Sequence, residues 1–254
     1  MRKADAVLDN VTFLLAAVPA VLIAGISKGG FGSGASFVSV TILALVLPPA
    51  AALGLMLPLL IVMDLTSLRP YWKRWSNRDA VILILASVPG IVIGAALLSR
   101  ASPDVVRLLI GGISIAFVAY QLWPRRAQRE DKPWPVWVGV LAGAVAGFTS
   151  FISHAGGPVT AVYLLRQKLD KTTYQATTVI VFFAINLLKL GFYAGLGLFS
   201  LSAVADIALL APVAIAGTWI GVRAHFLMPE RWFFVLTYVL LLATGAKLMF
   251  DGLT

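Results

Sequence analysis

Stretches without a charged residue make up most of this chain, and they limit the folds that are open to it. A helix that crosses a bilayer needs about 20 mostly apolar residues, with a range of about 17 to 25. The charge-free stretches are 11–27, 33–63, 80–99, 108–123, 133–153, 155–165, 172–188, 207–222 and 232–246. With their uncharged flanks they predict about eight long transmembrane helices. Two segments, 35–47 and 155–165, are too short for an upright crossing and each follows a glycine-rich break.

The composition supports the same interpretation. Sixty per cent of the residues are hydrophobic and 12% are charged, whereas a soluble domain carries roughly 25% charged residues. The mean hydropathy is +0.93. Too few charged side chains exist to cover a surface that faces water. We therefore expect an all-α integral membrane protein, a polytopic helical bundle.

Several classes of chemistry are excluded by the residues that are missing. The chain has no cysteine, so it has no disulfide, thiolate nucleophile or cysteine-based metal site. Its two histidines, His154 and His225, offer little for a metal cluster. The sequence contains no phosphate-binding loop, zinc-protease motif or serine-hydrolase motif. We predict that the protein is not an enzyme, and that it has no catalytic residue, cofactor or metal.

The positive charges lie in short runs between the apolar stretches. The net charge is +9, and the runs are at 69–78, 125–132 and 166–171. This distribution is typical of cytoplasmic loops. Binding of nucleic acid would need these charges on one folded face. The partners that we expect are therefore the lipid bilayer and a small anionic substrate, with no nucleic acid, and a homo-oligomer is left open.

The two halves of the chain resemble each other. Residues 25–30 align with residues 151–156, and further matches follow in the same order at separations near 126 residues with a small gap. The matched pairs are Ser27 with Ser153, Lys28 with His154, Gly30 with Gly156, Asp64 with Asn186, Tyr71 with Tyr193, Gly90 with Gly217, Gly94 with Gly221, and Pro103 with Pro229. This order indicates an internal repeat. The first transmembrane repeat is predicted at 1–124, a basic cytoplasmic linker at 125–132, and the second repeat at 133–254.

Two orientations of the repeat are open. Loops 69–78 and 195–202 are equivalent, and they carry four basic residues and none, respectively. Equivalent loops on opposite sides of the membrane mean an inverted repeat with five passages in each half and both termini outside. In the alternative, the two short segments re-enter, each half crosses four times, the repeat is parallel and the N-terminus is inside.

The first glycine-rich break is a candidate binding site. Five glycines between residues 25 and 34 predict an interrupted helix, which hydrocarbon tolerates only where the break lines a cavity or is buried in protein. Helix N-terminal N–H groups together with Lys28 suit an anion. The alternatives are close helix packing through small residues and an ordinary loop around Lys28. The candidate substrate contacts are Ser27, Lys28, Gly29, Gly30, Gly32 and Ser33.

The second break, at 149–158, has the same character. Pro158 suits a first helical position. Hydroxyl groups here can donate to oxyanions, and His154 can donate from its ring or carry charge near neutral pH. A purely structural role for His154 is the alternative. The candidate substrate contacts are Thr149, Ser150, Ser153, His154, Gly156 and Gly157.

Polar residues within the long spans are candidates for coupling transport to an ion, namely Asp64, Gln175 and Asn186. Asp64 can take up a coupling proton or pair with Lys28. The alternative is that it reaches towards the loop near Arg69. For Lys189 the interpretation that we favour is a side chain that extends to the membrane interface.

The plan of two halves, each with a glycine-rich break after its first helix, resembles the TauE/SafE sulfite exporter family. The resemblance covers essentially the whole chain and depends on residues 25–34 and 153–158. It implies a transporter of sulfite, sulfoacetate or related organosulfur anions across the bacterial inner membrane. It also implies that Lys28 and the residues around both breaks contact the anion.

The sequence therefore predicts a secondary transporter of small anions. It would work by alternating access at a central site between the two breaks. The alternatives are an anion channel and a membrane assembly or interaction protein that transports nothing. The predicted location is the cell membrane, as a multi-pass protein, and the inner membrane if the source is bacterial.

Overall fold

The computed structural model of the chain describes residues 2–31, 36–122, 133–200, 203–227 and 231–254. These residues form ten helices and no strand, so the prediction of an all-α protein is confirmed. The helices are α1 (Arg2–Gly30), α2 (Val38–Leu43), α3 (Pro49–Leu68), α4 (Asn77–Leu98), α5 (Pro103–Leu122), α6 (Val136–Ser153), α7 (Gly157–Arg166), α8 (Lys171–Gly195), α9 (Ala203–Leu227) and α10 (Arg231–Leu253).

Six helices in the described ranges have the length and hydropathy of a membrane span. They are α1 over Val11–Gly30, α3, α4, α6, α8, and α9 over Ala203–His225. The protein is therefore a multi-pass membrane protein. Helices α5 and α10, of 20 and 23 residues, are not among the six. The figure of about eight long spans stays a prediction.

Two short helices lie where the sequence predicts short segments. Helix α2 has 6 residues and α7 has 10. At about 1.5 Å of rise per residue, they are about 9 Å and 15 Å long. The hydrocarbon core of a bilayer is about 30 Å thick. Neither helix crosses it alone.

Two tyrosine hydrogen bonds define the direction of the long helices around these segments. The hydroxyl of Tyr71, just after α3, donates to the carbonyl oxygen of Gly29 at 2.8 Å. The hydroxyl of Tyr193 in α8 donates to the carbonyl oxygen of Phe151 in α6 at 2.6 Å. The C-terminal ends of α1 and α3 therefore lie together, as do those of α6 and α8. Helix α2 lies in the connection between α1 and α3 and contacts both of them.

Helix α1 continues through the first part of the glycine run, where the sequence predicted a break. It ends at Gly30. A methyl group on Gly29 would overlap the carbonyl oxygen of Thr218, and one on Gly30 would overlap that of Gly221. The glycines let α1 lie directly against the backbone of α9, as small residues do in membrane helix pairs. Helix α1 thus ends within the predicted break at 25–34 but keeps its helical form up to Gly30, because this packing partner stabilises the helix.

The two halves of the chain pack together through close helix pairs of this kind. Helix α1 packs on α9, and α4 packs on α6 in the same way, since a methyl group on Gly147 would overlap the carbonyl oxygen of Ser87. Within each pair the two helices run in the same direction. Helices α5 and α10 instead pack in opposite directions, since Gly111 lies against Gly245 while Gly252 lies against Leu108. Helix α3 contacts α1 in the first half of the chain and also α8 and α9 in the second half.

Candidate functional site

A buried ion pair joins α1 to α3. The ammonium of Lys28 lies 2.6 Å from the carboxylate of Asp64, and both side chains are almost fully shielded. The amide of Asn186 in α8 donates to the other carboxylate oxygen of Asp64 at 2.7 Å. A charge removed from water is tolerated when it is paired and hydrogen-bonded. The sequence suggestion that Asp64 pairs with Lys28 is therefore confirmed, and Asp64 does not reach towards the loop.

A second buried cation lies at the other break. The ammonium of Lys189 donates to the carbonyl oxygen of Ser150 at 2.7 Å and to its hydroxyl at 3.2 Å. It also lies 2.6 Å from Nδ1 of His154. The prediction that Lys189 extends to the interface is wrong, because its side chain is fully buried and α6 supplies it with acceptors.

These contacts determine which ring nitrogen of His154 carries the proton. An ammonium group can only donate hydrogen bonds, so with Lys189 charged, Nδ1 of His154 is the acceptor. The proton of a neutral imidazole is then on Nε2, which lies 3.3 Å from the carbonyl oxygen of Leu53 in α3. The backbone of His154 is in the left-handed conformation that ends α6, with φ of 55°. His154 thus connects α3, α6 and α8 at the second break.

The two clusters are neighbours on α8. Asn186 and Lys189 are three residues apart on this helix and so share a face. Through Asn186 and Asp64, the cluster around Lys189 continues to Lys28. With both lysines protonated, Asp64 ionised and His154 neutral, the two clusters carry a formal charge of +1. A buried excess of positive charge favours an anion as its counterpart.

The carbonyl groups at the end of α1 each receive a side-chain hydrogen bond. Gln175 donates to the oxygen of Lys28 at 2.7 Å, and Tyr71 donates to that of Gly29. Nδ1 of His225 lies 2.9 Å from the oxygen of Gly30. Burial raises the pKa of the Tyr71 phenol above its usual value, so the hydroxyl keeps its proton. These bonds satisfy acceptors that a helix end leaves open, and Gln175 thereby connects α8 to α1.

The other predicted contacts occupy several different environments. Ser27 is buried in the last turns of α1, and its carbonyl oxygen accepts from the amide of Phe31 at 2.8 Å. Gly156 precedes α7, and Gly157 is the first residue of that helix. The predicted contacts Gly32 and Ser33 lie outside the described residues.

Two of the predicted hydroxyl donors are engaged within their own helix. The hydroxyl of Thr149 donates to the carbonyl oxygen of Val145 at 2.9 Å. The hydroxyl of Ser153 donates to the carbonyl oxygen of Thr149 at 3.1 Å. Of the three hydroxyls predicted at this break, that of Ser150 is the one that contacts Lys189.

Sequence reasoning missed Lys189 as a member of the site. The signal was present in the spacing along α8, where Gln175, Phe182, Asn186 and Lys189 follow one another at intervals of seven, four and three residues. Such spacing places all four side chains on one helix face. Since Asn186 was already a candidate, the same face predicts that Lys189 points inward.

The fold and the buried clusters define a polytopic helical membrane protein with a charged interior between two interrupted segments. A scan against protein-family models matches the model described as sulfite exporter TauE/SafE over residues 17–248. The chain belongs to this family, which is a family of membrane transporters rather than enzymes. Searches of curated proteins and of solved structures gave no match.

Proposed function

We propose that the protein is a secondary transporter of small anions, with sulfite and related organosulfur anions such as sulfoacetate as its substrate class. The observation that carries the proposal is the presence of two buried lysines, Lys28 and Lys189, beside a single buried carboxylate, Asp64, between the ends of α1 and α6. An anion that leaves water needs a countercharge and replacement hydrogen bonds. The match to the sulfite exporter family supports the choice of substrate class.

Alternating access by two inverted halves is the mechanism that we propose. Helices α5 and α10, which the proposed repeat makes equivalent, pack in opposite directions. Helices α3 and α8 do the same, since Asp64 contacts Asn186 while Gly54 packs against Leu198, just after the end of α8. Equivalent helices of a parallel repeat would point the same way. These directions support five passages in each half.

The substrate would compete with Asp64 for Lys28. In the conformation described here the carboxylate of Asp64 is the counterion of Lys28. An anion that binds Lys28 takes that place, and Asp64 then loses its stabilising partner and favours the protonated form. Uptake of a proton by Asp64 would thus accompany binding of the anion, which couples the two movements.

The experiment that tests the function uses purified protein and a panel of anions that contains sulfite, sulfate, sulfoacetate, acetate and chloride. Binding to the folded state alone raises its thermal stability by mass action. We expect sulfite or an organosulfonate to raise the unfolding temperature, while chloride does not. The same anion should then show saturable counterflow in vesicles that contain the protein. We propose the cell membrane as the location of the protein.

Two results would separate the alternatives. Flux that does not saturate and shows no counterflow indicates an anion channel. A folded protein that binds and conducts none of these anions indicates a membrane assembly protein, and the transport proposal is then wrong.

A further inference from the structure

Phe182 interrupts the polar face of α8. The residues of this face on either side of it, Gln175, Asn186 and Lys189, make the hydrogen bonds described above. The side chain of Phe182 is 4% exposed. A large aromatic ring therefore occupies the middle of the surface that connects the two buried cations.

The ring contacts residues of both breaks. Its centroid is 5.9 Å from the ammonium of Lys28. It also touches Gly156, since a methyl group on that residue would come within 2.8 Å of Cε1 of Phe182. Phe182 thus links the cation of the first break to the residue that precedes α7 at the second.

Helix α7 carries a buried hydroxyl group that makes no hydrogen bond within the described residues. Thr160 lies four residues after Gly156, and its amide donates to the carbonyl oxygen of Gly156 at 3.2 Å, so the two share one side of α7. The Thr160 side chain is fully buried. Its hydroxyl makes no hydrogen bond to any described residue. A buried hydroxyl in this state favours a ligand that can accept its proton.

The charge distribution of the Phe182 ring determines which ions are stable next to its face. The face of a benzene ring is negative and its edge is positive. It attracts the ammonium of Lys28 and disfavours an anion at the same place. Movement of the ring away from the ammonium therefore favours an anion bound to Lys28.

We propose that Phe182 is the gate and the size-determining residue of the anion site, and that its displacement opens a path from Lys28 to Thr160. This proposal rests on the proposed transport function, which it deepens. With the ring retained at the border of the site, a compact oxyanion such as sulfite fits better than a longer alkanesulfonate.

The first test measures access and needs no substrate. The chain has no cysteine, so Thr160→Cys provides a single reactive thiol in the full-length protein. The probe is a sulfonate-bearing methanethiosulfonate, which forms a mixed disulfide with the thiolate and releases methanesulfinate. We expect Phe182→Ala to accelerate labelling of this thiol by about tenfold or more. Tenfold corresponds to a loss of about 1.4 kcal/mol in the stability of the closed state relative to the open state.

The matched control is Phe183→Ala, at the neighbouring half-buried position of α8, which should leave the labelling rate unchanged. Phe182→Leu provides a milder variant if Phe182→Ala does not fold. Equal labelling rates in the parent, Phe182 and Phe183 proteins would overturn the gate.

The second test measures selectivity. Phe182→Ala should bind longer alkanesulfonates that the parent rejects, in the thermal-shift panel extended from methanesulfonate to butanesulfonate. An unchanged size preference in a folded Phe182→Ala protein would overturn the size-determining role. If labelling accelerates but the parent binds no anion at all, the transport function is wrong while the gate over Thr160 stands.

Discussion

Lys28 and Asp64 form an ion pair at 2.6 Å between α1 and α3, with both side chains almost fully shielded from solvent. Removing one partner of a buried pair leaves an uncompensated charge, whereas replacing both by apolar residues of similar size is often tolerated. The pair is therefore a sensitive point for both folding and binding, and single and double variants separate the two effects.

A double-mutant cycle on this pair tests the stability side. Lys28→Met should destabilise the purified protein by about 3–5 kcal/mol, because Asp64 is left buried and unpaired. The double variant Lys28→Met with Asp64→Leu should be more stable than either single variant. Thermal unfolding of the four proteins in one detergent measures this. Additive effects of the two substitutions would show that the pair does not interact energetically.

The binding side is tested by Lys28→Ala in the Asp64→Asn background, where no unpaired carboxylate is left. Loss of one charge-assisted hydrogen bond to the anion removes about 1.5–3 kcal/mol, or about 10- to 150-fold in affinity. His154→Ala should cost less, since a neutral imidazole supplies a weaker dipolar donor. Titration of the stabilising anion gives the affinities, with Asp64→Asn as the reference. An unchanged affinity after loss of Lys28 places the anion site elsewhere.

Asp64→Asn by itself tests whether Asp64 couples anion transport to the movement of protons. The amide keeps the size and the hydrogen-bonding oxygen of Asp64 but cannot take up a proton at neutral pH. We expect proton-gradient-driven transport in vesicles to disappear while anion binding and exchange persist. Asp104→Asn, at an exposed carboxylate that pairs with Arg107, is the control. Unchanged gradient-driven transport in Asp64→Asn would leave Asp64 as a structural counterion.

The course of the helices could be predicted from sequence largely because apolar runs and their Gly and Pro boundaries are local signals. The short α7 begins at Gly157 and has Pro158 as its second residue, one position after the first helical position that the sequence predicted for this proline. The end of α1 could not be predicted in this way. Gly29 and Gly30 continue the helix because α9 packs on them, and that contact joins residues almost 190 positions apart.

The alignment of the two halves could also be predicted only in part from the sequence. The alignment by residue type placed Lys28 on His154, at a separation of 126. The two tyrosine hydrogen bonds, Tyr71 to Gly29 and Tyr193 to Phe151, each join residues 42 apart, and so relate the halves at a separation of 122. The difference of four residues is about one helical turn, which keeps the same face towards the site. Short glycine-rich motifs cannot distinguish such neighbouring turns.

Topology is tested by reporter fusions. The five-passage inverted repeat predicts that a reporter after Thr254 reads as periplasmic and that one near Gln128, which lies outside the described residues, reads as cytoplasmic. The opposed directions of α5 and α10 motivate this expectation. Alkaline phosphatase and green fluorescent protein fusions report the two sides. If both chain ends are cytoplasmic, the arrangement of five passages in each half is wrong.

Two glycines offer a matched test of the close helix packing. Gly29 and Gly191 both lie within long helices, α1 and α8. A methyl group on Gly29 would overlap the carbonyl oxygen of Thr218, whereas one on Gly191 would meet nothing within 4 Å. The backbone of α9 cannot give way as a flexible side chain does, so overpacking by Gly29→Ala should destabilise the protein by about 1–3 kcal/mol.

Gly191→Ala should instead be neutral or stabilising by about 0.5–1 kcal/mol, since alanine loses less backbone entropy than glycine in a helix. Thermal unfolding in one detergent measures the stability of both variants. Because Gly29 directly follows Lys28, anion affinity provides a second measurement. Separation of α1 from α9 would shift Lys28 relative to Asp64, so anion affinity should fall in Gly29→Ala and stay unchanged in Gly191→Ala. Equal behaviour of the two variants would mean that the contact between α1 and α9 is loose, and that the glycine run has another role.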